Sequence, residues 1–295
     1  MGSRRAPAAG LMLVALSVST LADPLVLDGD PRQGSLIFGR TDPGSTARLL
    51  SFDAAGEETA RYDVTLDDGG RFVIGFDRDH GPRAELHLTS PSGTAAPPIV
   101  FDVAPHGWRE SAITVTERKA NPYLPEDLEK IAADREVKQR ARAERSEEAM
   151  WVTRFEWPVA GCVSSPFGSR RIINGNPRRP HSGVDVAAPD GMNPMNYIGT
   201  VVGAPADGIV RLASPGMFFE GGLVLIDHGQ SLESALMHLS SVDVAPGTRV
   251  RQGDPIGKVG MSGRVTGPHL HWSLKWRDRL LDATTVVPPR GRCTD

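Results

Sequence analysis

At 295 residues the chain is long enough for one or two domains, each able to bury a full core. Hydrophobic content of 39% and charged content of 23% are ordinary for a globular protein. The formal charge of -3, with no basic run interleaved with aromatics, gives no footing for nucleic-acid binding.

Residues 1–22 read as a secretory signal: Arg4 and Arg5 form a basic start, and an apolar run over residues 11–22 ends on the small Ala22. The run is shorter than the about 20 apolar residues that span a bilayer, and no later segment could span one. Cleavage removes two positive charges and no acid, taking the formal charge from -3 to -5. The mature protein is expected to be exported, to the periplasm or cell envelope first and fully secreted as second choice. Two cysteines, Cys162 and Cys293, suggest a disulfide in that setting.

Residues 23–117 carry short apolar and β-branched runs at 36–38, 47–52, 62–66, 71–76, 84–88 and 99–103, separated by turn signals such as Asp42-Pro43-Gly44 and Asp67-Asp68-Gly69-Gly70. This spacing predicts a β-sandwich-like domain of about seven antiparallel strands. His80, His87 and His106 have no ligand spacing and read as structural or surface residues. Residues 118–150 form a charged helical linker. Pro125 followed by Glu126 and Asp127 starts a helix, running to about Ala149. Residues 126–148 hold eight acids and six bases, with Asp134/Lys138 and Glu136/Arg140 at i,i+4 spacing. Leu128, Ile131 and Val137 give a thin apolar stripe, so a solvated linker is preferred over a helix docked on a partner or on the neighbouring domain.

Residues 151–295 read as a mainly antiparallel β-sheet domain. Strands are expected at 159–164, 170–173, 184–187, 200–204, 208–213, 223–227, 234–239, 255–260 and 268–276. Asn174-Gly175 favours a type I′ hairpin turn, placing Arg170, Arg171, Arg178 and Arg179 along a ribbon leading to His181. That ribbon is either a solvated basic surface or a site for a substrate bearing carboxylates, with Arg170, Arg171 and Asn174 as candidate substrate-binding residues. His181 and Asp185 lie in a Gly/Pro loop running into a strand, with both side chains turned inward. His269 and His271 are two apart on a strand and so share one face. Three imidazoles and a carboxylate are ligand types that suit zinc.

His181-x-x-x-Asp185, His238-Leu239 and Gly267-Pro268-His269-Leu270-His271, in that order, resemble the lysostaphin-type (LytM-domain) zinc metallopeptidases, which cut peptide bonds in bacterial peptidoglycan. The resemblance covers about residues 157–286. It implies one zinc ion per chain, held by His181, Asp185 and His271, with His238 and His269 in proton transfer and in stabilising the tetrahedral intermediate. It implies peptidoglycan peptide cross-links as substrate, and leaves room for a regulatory protein partner. His228, in Asp227-His228-Gly229, is read as a histidine without a ligand role. Two departures stand out: residues 190–199 are longer than the family's usual connection, and Ala235-Leu236-Met237 replaces a common aromatic before His238. The alternatives are a non-catalytic regulator on the same fold that activates another wall hydrolase, and an endopeptidase for a secreted protein.

Overall fold

Turns rich in Asp, Pro and Gly cut the first half into short strands whose alternating apolar residues decide which face is buried. A computed structural model describes residues 25–114, 123–151 and 154–294. The signal peptide read at residues 1–22 lies outside them. Seven strands, β1 (Val26–Asp28), β2 (Leu36–Arg40), β3 (Thr46–Phe52), β4 (Glu58–Val64), β5 (Arg71–Gly75), β6 (Arg83–Thr89) and β7 (Ile99–Asp102), form two antiparallel sheets, β1-β2-β5 and β4-β3-β6-β7. Leu36, Leu49, Phe72, Ile74 and Leu86 are buried between them. The predicted β-sandwich-like domain is present, with β1 as an added edge strand that the sequence reading lacks.

An eighth strand, β8 (Glu110–Ile113), leaves this sandwich and pairs with a later hairpin. The hairpin is β10 (Arg170–Ile173) and β11 (Asn176–Pro177), following β9 (Cys162–Ser165). Asn174 and Gly175 both have positive φ, 50° and 76°, as a type I′ turn requires. β8 runs parallel to β10 and covers its free edge, with Arg171 opposite Ser111. The basic ribbon is therefore an inner strand of a three-stranded sheet and not a free solvated arm.

The remaining strands are β12 (Val184–Ala187), β13 (Val201–Gly203), β14 (Gly208–Met217), β15 (Gly221–Asp227), β16 (Leu232–Val242), β17 (Arg249–Val250), β18 (Pro255–Val259), β19 (Leu270–Trp276) and β20 (Arg279–Leu281). They form an antiparallel sheet with β9, in the order β17-β14-β15-β16-β19-β12-β9, with β20 on β19 and with β18 between β13 and β16. β14 and β16 outrun the expected strands, and β17 and β20 are additional. The long connection at residues 190–199 folds into a 3₁₀ turn, Pro194–Tyr197. It is anchored by the buried Tyr197, whose hydroxyl donates to the Ala160 carbonyl at 2.6 Å.

The charged helix, α1 (Pro125–Ala141), is shorter than expected and is not a solvated linker. Asp127 Oδ2 accepts from the Leu124 backbone N–H at 2.9 Å, closing its first turn. Val137 and Ala141 pack against Leu212, Met217, Leu223 and Leu225 on the outer face of β14 and β15. The Phe218 N–H donates to Asp134 Oδ2 at 2.6 Å, and Lys138 pairs with Glu220. The charges that promised i,i+4 pairs at Asp134/Lys138 are thus engaged across to the sheet. Beyond the helix, Arg142 forks onto Glu233 at 2.8 and 2.9 Å, and Ala149, Met150 and Trp151 are buried.

The two halves share one core. Phe38 meets Trp151 with ring centroids 5.0 Å apart, and Tyr62 meets Trp276 at 5.6 Å. Arg279 of β20, 5% exposed, donates to the Gly75 carbonyl and to Ser51 Oγ, both at 3.0 Å, and lies over the Tyr62 ring. A buried guanidinium survives only because its donors are so matched.

Cys162 and Cys293 are joined, with Cα atoms 4.9 Å apart and a sequence separation of 131. A crosslink over so long a loop contributes up to about 4–5 kcal/mol in the chain-entropy model, commonly less. Intact mass of the unreduced, exported chain is expected to lie two hydrogens below the reduced mass, and Cys293→Ser is expected to lower the melting temperature. Two free thiols with an unchanged melting temperature would remove this tie.

Candidate active site

β12 and β19 are neighbours in antiparallel register, and that pairing builds the centre of the site. Asp185 lies opposite His271, so both side chains leave the same face at the same level. His181, four residues before Asp185, reaches the same point from the loop entering β12. Its Nε2 lies 3.1 Å from Asp185 Oδ1 and 3.0 Å from His271 Nδ1, and His271 Nδ1 lies 2.8 Å from Asp185 Oδ1. Gly183 makes this approach possible. A Cβ there would stand 2.3 Å from the Trp272 carbonyl oxygen and 2.7 Å from His271 Nε2.

The outer nitrogens show what the inner ones can do. His181 Nδ1 lies 3.0 Å from the Pro166 carbonyl, which can only accept, so the proton sits on Nδ1 and leaves the Nε2 lone pair facing inward. His271 Nε2 faces Ser182 Oγ at 3.3 Å, leaving Nδ1 inward. Two lone pairs and a carboxylate oxygen thus converge on a triangle about 3 Å on a side. Burial alone would raise the Asp185 pKa, but the adjoining imidazoles of His181 and His271, when protonated, outweigh it and hold the carboxylate ionised. Such a donor set calls for positive charge at its centre. A zinc ion with bonds of about 2.0–2.1 Å spans tetrahedral edges of about 3.3 Å, close to these separations, and outer hydrogen bonds from ring N–H groups are the usual support of metal-bound histidines. The residues fit zinc.

His238 and His269 stand beside this triangle. Their ring centroids are 4.9 Å apart, and His238 is 5.9 Å from the His271 ring. His269 Nε2 is 3.7 Å from Asp185 Oδ1, with its Nδ1 donating to the Gly267 carbonyl at 2.9 Å. His238 Nδ1 donates to the Ser262 carbonyl at 3.0 Å, leaving Nε2 free. Burial, then the nearby charges of His269 and His271, push the His238 pKa down to about 4, so the ring is neutral at pH 7. His238 has φ of 67°, a left-handed backbone rare for a side-chain-bearing residue. Its N–H is held by the Glu220 carbonyl at 2.8 Å. His269 precedes β19 in an isolated bridge to Gly260, one step outside the strand expected to contain it.

The three candidate substrate residues fare differently. Arg170 is engaged with Glu110 of β8, Nε to Oε1 at 2.8 Å. Asn174 sits exposed at the hairpin tip, its N–H donating to the Ile113 carbonyl at 3.0 Å. The exposed Arg171 forms no ion pair among the described residues. The supporting groups Pro166, Ser182, Gly183, Glu220 and Ser262 carry no mark in the sequence beyond the Gly/Pro character of their loops.

His228 is remote from this chemistry, as expected. It is fully buried, donating from Nδ1 to the Asp207 carbonyl and accepting at Nε2 from Ser234 Oγ, both at 2.8 Å. Burial pushes its pKa from 6.5 down to about 4. The folded chain therefore binds fewer protons than the unfolded chain between these values, and stability rises with pH across that window. The expected loss from pH 7.5 to pH 4.5 at this residue is on the order of 3 kcal/mol. Denaturant titrations across that range should show a flatter profile in His228→Gln; an unchanged profile would contradict the assignment.

Residues 179–283 match the model of peptidase family M23. The chain is 38% identical over 128 residues to the peptidoglycan DD-endopeptidase ShyA of Vibrio cholerae, covering 43% of this chain and 28% of that protein. It is 36% identical over 132 residues to the DD-carboxypeptidase/endopeptidase Mpg of Neisseria meningitidis, covering 45% and 28%. The matched part is thus less than a third of those relatives' length. A solved structure titled as a putative peptidase M23 from Pseudomonas aeruginosa superposes with a TM-score of 0.60 at 29% identity, over 87% of this chain and 95% of that one. That similarity extends through both halves of the fold.

Proposed function

From a chain that carries a peptidase family M23 domain, we propose an exported, zinc-dependent endopeptidase that hydrolyses peptide cross-links of bacterial peptidoglycan. The observation that carries this reading is the convergence of His181 Nε2, Asp185 Oδ1 and His271 Nδ1, with two further imidazoles beside them. His181, Asp185 and His271 would hold one zinc ion. Bound there, zinc supplies a Lewis acid and makes hydroxide available near neutral pH.

The other steps belong to the chain's own side chains. Water adds to the scissile carbonyl carbon, the C–N bond breaks, and a proton must travel from the water to the leaving amine. The free Nε2 atoms of His238 and His269 are the groups that can take and return it, and the protonated partner can donate to the oxyanion. Their Nδ1–H bonds to the Ser262 and Gly267 carbonyls fix both tautomers for that role. Arg171, unpaired among the described residues, suits a carboxylate on a cross-linked peptide. The match to peptidoglycan endopeptidases supports this substrate class. The intact set of five polar residues argues against a purely non-catalytic regulator.

The signal read at residues 1–22 supports export, and the disulfide suits an oxidising compartment. Among the described residues no helix is long and apolar enough to cross a membrane. Hydrolysis of a synthetic cross-linked muropeptide dimer tests the reading: activity is expected to vanish with a chelator and return with zinc. Undiminished hydrolysis after exhaustive metal removal would contradict it.

A further inference from the structure

The first domain contributes more than a neighbouring surface. His181 is suspended from the short turn at residues 166–169. The Gly168 N–H donates to the His181 carbonyl at 3.0 Å, the His181 N–H donates to the Ser169 carbonyl at 2.8 Å, and the ring donates to the Pro166 carbonyl. Ring orientation, and with it the aim of Nε2, therefore follows the position of this turn. The turn is braced by two side chains from the first domain. Arg78, 7% exposed, donates from Nε to the Gly168 carbonyl at 2.8 Å. Trp108 packs against Gly168, close enough that a Cβ there would stand 2.3 Å from its ring, and meets the Phe167 ring at 5.5 Å.

The brace is itself locked. Trp108 Nε1 donates to the Arg78 carbonyl at 3.0 Å, and the Arg78 guanidinium lies 5.4 Å from the Trp108 ring centre. Gly168 has φ of 74°, so its conformation also favours glycine. Directly beyond the turn, the Arg170 N–H donates to the Arg109 carbonyl at 2.9 Å, and the β8–β10 pairing begins.

We propose that Arg78 and Trp108 are positioning residues for the metal centre, setting the turn at residues 166–169 and, through the Pro166 carbonyl, the ring of His181. The proposal rests on the zinc reading above. It means that the first domain completes the site without touching the reacting atoms.

The test uses the mature full-length chain, stripped of metal. Zinc affinity is measured by competition with a chromophoric chelator, and the His181 ring is followed by ¹⁵N–¹H correlation in the metal-free protein. Arg78→Met keeps the buried volume but removes the donor to Gly168, and Trp108→Ala removes the plate against it. Each is expected to weaken zinc binding by about tenfold, the lower end of what outer partners of a metal ligand contribute. Each should also shift the His181 Nδ1–H resonance. Trp108→Phe, which keeps a ring at Gly168, should retain affinity within about threefold. Arg48→Ala, at an exposed ion pair in the same domain, is the control and should change neither readout. Folded Arg78→Met and Trp108→Ala proteins with wild-type affinity and an unshifted His181 resonance would overturn the proposal, even if their melting temperatures fell. A wild-type chain that binds no zinc would instead overturn the zinc reading on which it stands.

Discussion

His181→Ala is expected to lose its zinc and its hydrolytic activity while keeping its fold. The argument is one of donor count. Three atoms about 3 Å apart form the proposed cage, and removing one leaves two protein donors, short of the three that catalytic zinc sites use. The loss in affinity should exceed the about 10–100-fold seen when only an outer partner of a ligand is removed. The fold should persist, because β12 and β19 are paired through their backbones and His181 lies in the loop before them. Elemental analysis of dialysed protein should fall from near one zinc per chain to near none, with an unchanged far-ultraviolet spectrum. Full zinc content in His181→Ala would remove it from the ligand set.

His238→Ala and His269→Ala are expected to do the opposite: keep the metal and lose turnover. Neither ring is part of the triangle, yet each presents a free Nε2 toward it, with Nδ1 fixed by a carbonyl. A lost general base or oxyanion donor costs about 10²-fold or more in kcat. Zinc content should stay near one per chain, since the remaining donors converge without either ring. His238 tests a further point. Its left-handed backbone is a strained conformation held by the Glu220 carbonyl. His238→Gly should therefore retain stability while losing the same activity. Near-normal turnover in His269→Ala would show that the assigned proton path is wrong.

Short local spacings drew attention to the cluster, while its division into ligands and proton-transfer residues came from the family resemblance. Residues two apart on a strand share a face, so His269 and His271 could be placed together before any tertiary contact was known. The loop-to-strand reading of residues 181–187 worked for the same reason: Pro180 and Gly183 exclude a helix. What local pattern could not supply was long-range pairing. β8 lies outside the runs expected to be strands; all four of its residues are exposed, and it is paired along the free edge of β10. Arg170 looked free for substrate until that pairing brought Glu110 to it. α1 looked solvated because its apolar stripe is thin, but its charges find partners on the β14–β15 hairpin. The shared core was equally hidden: Trp276 read as an ordinary strand residue and Leu281 fell outside the expected strands, yet both are buried beside the first domain. The left-handed backbone of His238 has no sequence mark at all, because non-glycine residues adopt it only under tertiary constraint.

The central claim, that this chain cuts peptide bonds joining peptidoglycan strands, is tested most directly on purified sacculi. The mature, zinc-loaded protein is incubated with them, the glycan is then digested to completion, and the released muropeptides are separated and weighed. The account predicts that cross-linked dimers decline and uncross-linked monomers rise, two for each dimer lost, with no change in His181→Ala digests. A digest whose dimers and monomers match those of untreated sacculi, from protein confirmed to hold zinc, would contradict it.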